Sequence, residues 1–252
     1  MTVLLSGRRG GTTHREVALL ASLPPDLRLI GGLAVMVRVG TPHRTTVDLD
    51  TVARHLDLHH VALSRMALTA EAGGQYTFVG DLDLDVIDVA PVSATELAGQ
   101  LVAGGEPVSD LELNALAHTW AHDTATPLDI IAVDEANGEV LATADDRLVA
   151  TTTGIVVMKA STIPLRASSR PEKRASDLYD LGRLLVAGDL QHPNFAALPT
   201  ILLEPIAERL AAWFIEDAGR DRTYREVRRF DEPRLDLDAT ADAVDEILSI
   251  QR

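Results

Sequence analysis

Between Thr45 and Val52 apolar and acidic residues alternate as Val47, Asp48, Leu49, Asp50, and a second alternating run extends from Leu82 to Val89. Successive side chains of a β-strand point to opposite faces. A period of two therefore buries the apolar set and brings Asp48 and Asp50 side by side on the other face. Two adjacent carboxylates can bridge hard, oxygen-preferring cations in the geometry used for phosphoryl transfer. By itself an Asp-x-Asp pair also suits the wet face of a half-buried strand.

The rest of the chain is punctuated around these strands. The Thr13-His14-Arg15-Glu16 spacing is that of a capping box and predicts a helix that Pro24-Pro25 ends. Leu27 to Ile30 reads as a strand, Gly31-Gly32 as a turn and Leu33 to Val37 as a buried helix broken by Gly40-Thr41-Pro42. Leu58 to Ala72 reads as a helix, Tyr76 to Val79 as a strand, and Asp110 to His122 as a helix. Asn137-Gly138 predicts a tight hairpin between Leu128–Val133 and Glu139–Thr143. Beyond Gly154 the apolar spacing turns helical, over 155–166, 171–187, 198–218 and 239–249. The expected organisation is α+β: an α/β domain over 1–153 and a mostly helical domain over 154–252.

With 252 residues and 46% hydrophobic content the chain can bury a core, as one large domain or two small ones. The absence of cysteine excludes disulfides, thiolate metal sites and cysteine nucleophiles, so carboxylates must carry any metal. No apolar run reaches transmembrane length and the opening residues lack the pattern of a signal peptide, so a cytoplasmic location without membrane attachment is expected. The formal charge of −15 argues against a surface that is basic throughout, and a nucleic-acid substrate would have to meet a local patch. Arg220, Arg222, Arg225, Arg228 and Arg229, near Trp213, Phe214, Tyr224 and Phe230, are the candidates for one. The acids around them, Glu216, Asp217, Asp221, Glu226 and Asp231, favour a solvated helix end instead. His118 and His122 have the spacing of a helical zinc pair but lack the accompanying glutamate and an evident third ligand.

Gly31-Gly32, then His43-Arg44-Thr45-Thr46, then Asp48-Leu49-Asp50 follow one another within about twenty residues. Glycines at a helix start let backbone amides approach a polyphosphate, and Arg44 just before the strand could reach a phosphate or pair with a neighbouring acid. Far downstream stand Val156-Val157-Met158-Lys159-Ala160 and Arg170-Pro171-Glu172-Lys173-Arg174-Ala175-Ser176-Asp177-Leu178-Tyr179-Asp180-Leu181. Together these segments resemble the AbiEii/MenT group of nucleotidyltransferase toxins in the DNA polymerase β superfamily, over roughly Leu29 to Leu185. The family's frequent Gly-Ser is Gly-Gly here.

The resemblance implies a polymerase-β-like core, a mixed sheet with flanking helices, followed by a helical half that completes the active site. It implies a nucleoside triphosphate as substrate, magnesium or manganese on Asp48 and Asp50, and transfer of a nucleoside monophosphate to an acceptor hydroxyl, for which the 3′ end of tRNA is the family's precedent. Gly31, Gly32, Arg44 and Thr46 would contact the nucleotide. Lys159 takes the place of the family's essential lysine and Asp177 that of its later aspartate. A third metal carboxylate is expected on a neighbouring strand, and of the acids in Leu82–Val89, Asp88 is favoured over Asp85. As a toxin the chain would have a cognate antitoxin protein. A small-molecule or protein acceptor, or an inactive nucleotide- or partner-binding module, are the alternatives. For Asp177 and Asp180, ion pairs with Lys173, Arg174 or Arg183 on the same helix remain the simple reading.

Overall fold

Among the described residues, eight strands, numbered in chain order, form one mixed sheet in the order 1-7-8-2-3-6-5-4. The computed structural model describes residues 1–40, 48–166, 170–187, 195–230 and 233–250. Its strands are β1 (Thr2–Gly7), β2 (Arg28–Ile30), β3 (Asp48–Ala53), β4 (Thr69–Glu71), β5 (Gln75–Phe78), β6 (Leu82–Asp88), β7 (Thr126–Asp134) and β8 (Val140–Val149). Ten helices accompany them among the described residues: α1 (Thr12–Ser22), α2 (Gly31–Val39), α3 (Asp57–Met66), α4 (Ala94–Gly104), α5 (Asp110–Asp123), α6 (Thr152–Arg166), α7 (Pro171–Ala187), α8 (Thr200–Phe214), α9 (Asp217–Val227) and α10 (Leu237–Ser249). The chain divides into two units, one of Met1–Pro91 with Thr124–Thr151, the other of Val92–Asp123 with Thr152–Arg252. Helices α4 and α5, which the sequence order suggested would belong with the strands, thus group with the carboxyl-terminal helices. No described helix is long and apolar enough to cross a membrane.

In the sheet unit, β3 and β6 run parallel with Asp48 opposite Asp83 and Asp50 opposite Asp85. Residues directly opposite one another in a sheet share a face. The alternation of both strands therefore sums to one polar face bearing four aspartates and one apolar face on which Leu49, Leu84 and Val86 are buried. Helix α2 is hydrophobic on all sides and is buried from Gly31 to Val37, as expected of a helix enclosed by its unit. It ends at Gly40, whose φ of 80° gives the left-handed cap that lets its N–H donate to the Met36 carbonyl at 2.9 Å.

Caps are where local reading and structure part. Helix α1 begins at Thr12 rather than Thr13, its cap is Gly11 with no side-chain hydrogen bond, and Glu16 is wholly buried. The capping box is found instead at α5, where the Ser109 N–H donates to Glu112 at 2.9 Å and the Glu112 N–H donates to Ser109 Oγ at 3.3 Å. Ser93 caps α4 with one half of this pattern, accepting from the Glu96 N–H at 3.2 Å. The Ser-x-x-Glu spacing at both places carried the signal for these helix starts.

In the helical unit, α6 and α7 present Ile155, Val156 and Val157 and Leu178, Leu181 and Leu184 to the interior, all fully buried. Pro164 lies inside α6 and has no N–H to give the Ala160 carbonyl one turn back. Arg209 of α8 supplies the missing donor, its Nη1 standing 3.2 Å from that oxygen. Helix α7 starts at Pro171, the first-turn position where a missing N–H costs nothing. Tyr179 stacks on Phe230 with ring centroids 4.8 Å apart and donates its hydroxyl to the Pro233 carbonyl.

Candidate metal centre

The polar face of the sheet gathers Asp48, Asp50 and Asp85, each offering a carboxylate oxygen within 4.8 Å of the others. All three are half-buried. The β3–β6 register accounts for the grouping. Asp50 and Asp85 are directly opposite, and Asp48 is one side-chain repeat away on the same face. Carboxylate oxygens are the donors that hard divalent cations prefer, and two ligands on one magnesium ion stand about 3 to 4 Å apart. The donor set and its spacing fit such an ion after small side-chain adjustments.

The third carboxylate of this group is Asp85; Asp88, the acid favoured from the sequence, does not join it. Asp88 shares parity with Leu84 and Val86 and so belongs to the opposite face of β6, at the end of the strand beside Ala53. There its carboxylate accepts the Leu56 N–H at 3.1 Å. Strand parity separates the two aspartates, but only the register shows which one meets Asp50.

The start of α2 adjoins the cluster, because Ile30, the last residue of β2, pairs with Asp50. Gly31 follows with a φ of +68°, a left-handed conformation glycine adopts without strain. A side chain at 31 would have no room: its Cβ would fall 1.9 Å from Asp50 Oδ2. The glycine therefore brings a helix amino end, with its partial positive charge, against the carboxylates. Gly32 occupies the next position and is buried.

A cavity of about 200 Å³ opens on the same face, lined by Asp48, Asp85, Asp83, Glu71, Gln75 and Thr77 among others. Thr77 Oγ1 donates to Asp83 at 2.8 Å, which fixes that acid's orientation. The cavity is smaller than the roughly 300 Å³ of a typical small-molecule pocket. It suits ions and phosphate groups, not a whole nucleotide. Tyr76 also borders it; burial raises the phenol's pKa, and the hydroxyl lies 2.9 Å from His60 Nδ1.

Lys159 and Asp177 are brought together as well, in the helical unit. Lys159 is buried in α6 with its ammonium 2.9 Å from Asp177 and 2.9 Å from Asp180, both of α7. Arg166 pairs with the second oxygen of Asp177. Two cations of α6 thus face two anions of α7. Asp180 is entirely buried. His118 lies in the same unit; burial lowers its pKa, a hydrogen bond to the Asn114 carbonyl opposes this, and the Arg166 charge lowers it further. Since a carbonyl only accepts, His118 Nδ1 carries the proton in that 2.8 Å bond. His122 Nδ1 is engaged by Asp123 at 2.8 Å. Arg44 and Thr46 lie outside the described residues.

Compared with protein-family models, with curated proteins and with solved structures, the chain finds no match.

Proposed function

We propose that the chain is a divalent-metal-dependent nucleotidyltransferase with a polymerase-β-like core. The observation that carries this reading is the convergence of Asp48, Asp50 and Asp85 on one sheet face, against the amino end of α2 at Gly31. Magnesium or manganese would be held by these three carboxylates. When bound, the ion would neutralise phosphate charge and lower the pKa of an attacking hydroxyl. The protein's own part is to orient: the backbone amides at Gly31-Gly32 would receive a polyphosphate, and the β3–β6 pair keeps the carboxylates in position. The reaction joins an acceptor hydroxyl oxygen to the α-phosphorus of a nucleoside triphosphate and breaks the bond to the β-phosphate, releasing pyrophosphate. The proton leaves with solvent, and no covalent enzyme intermediate is formed.

The proposed acceptor is the 3′ end of tRNA, as in the toxins the sequence resembles, with a cognate antitoxin as protein partner. A small-molecule or protein hydroxyl is the second reading, and the net charge of −15 favours it, since a polyanion gains little from such a surface. Lys159 and Asp177 enter the proposal through the resemblance alone, as the charge pair expected to support nucleotide binding.

The test is incubation of the purified chain and its Asp50→Ala variant with magnesium or manganese, each labelled nucleoside triphosphate and total tRNA. Label on the tRNA 3′ end with the wild type only is the expected result. Label on another acceptor, with rates indifferent to salt, would support the second reading. Metal binding without transfer to any acceptor, together with no pyrophosphate release, would overturn both.

A further inference from the structure

Helix α9 carries Arg222 and Arg225, with Arg229 just past its end, at spacings of three and four that place them along one stripe. That stripe and the first turn of α7 enclose a cavity of about 260 Å³ lined by Arg174, Arg222, Arg225 and Arg229 against Glu172 and Glu226. Four guanidinium groups thus meet two carboxylates, an excess of two positive charges in a chain whose net charge is −15. Arg174 is buried, whereas Arg222, Arg225 and Arg229 are exposed.

We infer that this cavity is a receptor for a phosphate group, independent of the carboxylate cluster on the sheet. Three of the four arginines have partners that orient them. Arg174 is 5% exposed and paired with Glu226, which also accepts from Arg222 Nε at 2.9 Å. Arg229 donates to the Glu172 carbonyl at 2.8 Å and lies over the Phe230 ring, 5.2 Å from its centroid. Planar guanidinium forks already oriented by such partners lose less freedom when they bind an oxyanion, and they match its oxygens in pairs. The cavity also receives the amino end of α7, whose dipole adds to the positive field. Burial lowers the pKa of Arg174 and the neighbouring Arg222 charge lowers it further, so like charges already oppose one another there. A phosphate would relieve that repulsion. The shared chemistry is the phosphoryl group, whether free or at the end of a polynucleotide.

The experiment is a 31P NMR titration of the full chain in EDTA at constant ionic strength, with inorganic phosphate in one arm and 5′-phosphorylated dithymidine in the other. EDTA removes any metal-dependent phosphate binding at the sheet carboxylates. Saturable binding of either probe, weakened at least tenfold in R222Q/R229Q, is expected, and the arm that binds identifies the source of the phosphate. Both substitutions are at exposed positions, and Arg225→Gln, also exposed, is the second variant should the double one fail to fold. No saturable binding of either probe to the wild type, or binding that the variants retain at full strength, overturns the inference.

Discussion

Lys159 Nζ lies 2.9 Å from Asp180, a carboxylate with no exposed surface, and the pair joins α6 to α7 inside the helical unit. Removing Lys159 takes one ammonium from two buried carboxylates, and breaking a buried ion pair costs about 3–5 kcal/mol. Lys159→Met should therefore lower the urea midpoint strongly, whereas the paired change Lys159→Met with Asp180→Leu should recover much of the loss. If nucleotide binding falls in the double variant after its stability has been restored, Lys159 acts in the reaction as well as in the fold. Unchanged nucleotide affinity would restrict it to the fold.

Gly31→Ala should fail at the carboxylates. The alanine Cβ would stand 1.9 Å from Asp50 Oδ2 and the backbone φ of +68° is unfavourable for any L side chain. Backbone strain of this kind costs about 1–3 kcal/mol, and relief requires moving Asp50. Isothermal titration with manganese is expected to show affinity reduced at least tenfold. An unchanged affinity would mean that Asp50 has freedom to turn aside.

Asp85 and Asp88 can be separated by metal-linked stability. Ions that bind only the folded chain raise Tm. Asp85→Asn should abolish the rise produced by magnesium or manganese. Asp88→Ala should leave that rise intact and cost about 1 kcal/mol or less, for the lost acceptor of the Leu56 N–H. The opposite pattern would place the third ligand at Asp88 after all.

His118 should make the protein acid-sensitive. Its folded pKa is held below the ordinary 6.5, first by burial and then by the Arg166 charge. Above about pH 6.5 the ring is neutral whether the chain is folded or not, and it contributes no pH dependence. Below that, the unfolded chain takes up a proton that the folded chain refuses. Stability is then lost as pH falls toward the lowered pKa, by at most about 1.4 kcal/mol per pH unit from this group. Urea titrations between pH 7.5 and 5 should show a smaller loss for His118→Gln than for the wild type. Equal slopes would show that His118 accepts the proton within the fold.

Much of the site was legible locally. The alternation around Asp48 and Asp50 puts both on one strand face because backbone geometry allows nothing else, and Gly31 stands at a strand-to-helix junction that its neighbours announce. Helix α7 keeps the boundaries its sequence suggests, Pro171 to Ala187, because a proline start and a continuous apolar stripe act within one element. Helix α4, by contrast, was missed although Ser93 and Glu96 mark its start, and so was β1, whose Val3 and Leu5 are buried while Leu4 is exposed.

What the sequence by itself determined, then, is whatever depends on neighbours along the chain: strand parity, helix stripes and turns. Only the tertiary structure decided which residues meet across elements. The parallel register of β3 and β6 chose Asp85, and the approach of α6 to α7 gave Lys159 its two carboxylates. Packing of α9 against the first turn of α7 brought Arg174 to Arg222, Arg225 and Arg229. Those choices rest on contacts between residues far apart in the chain, whose energies come from burial and charge pairing, and periodicity does not encode them.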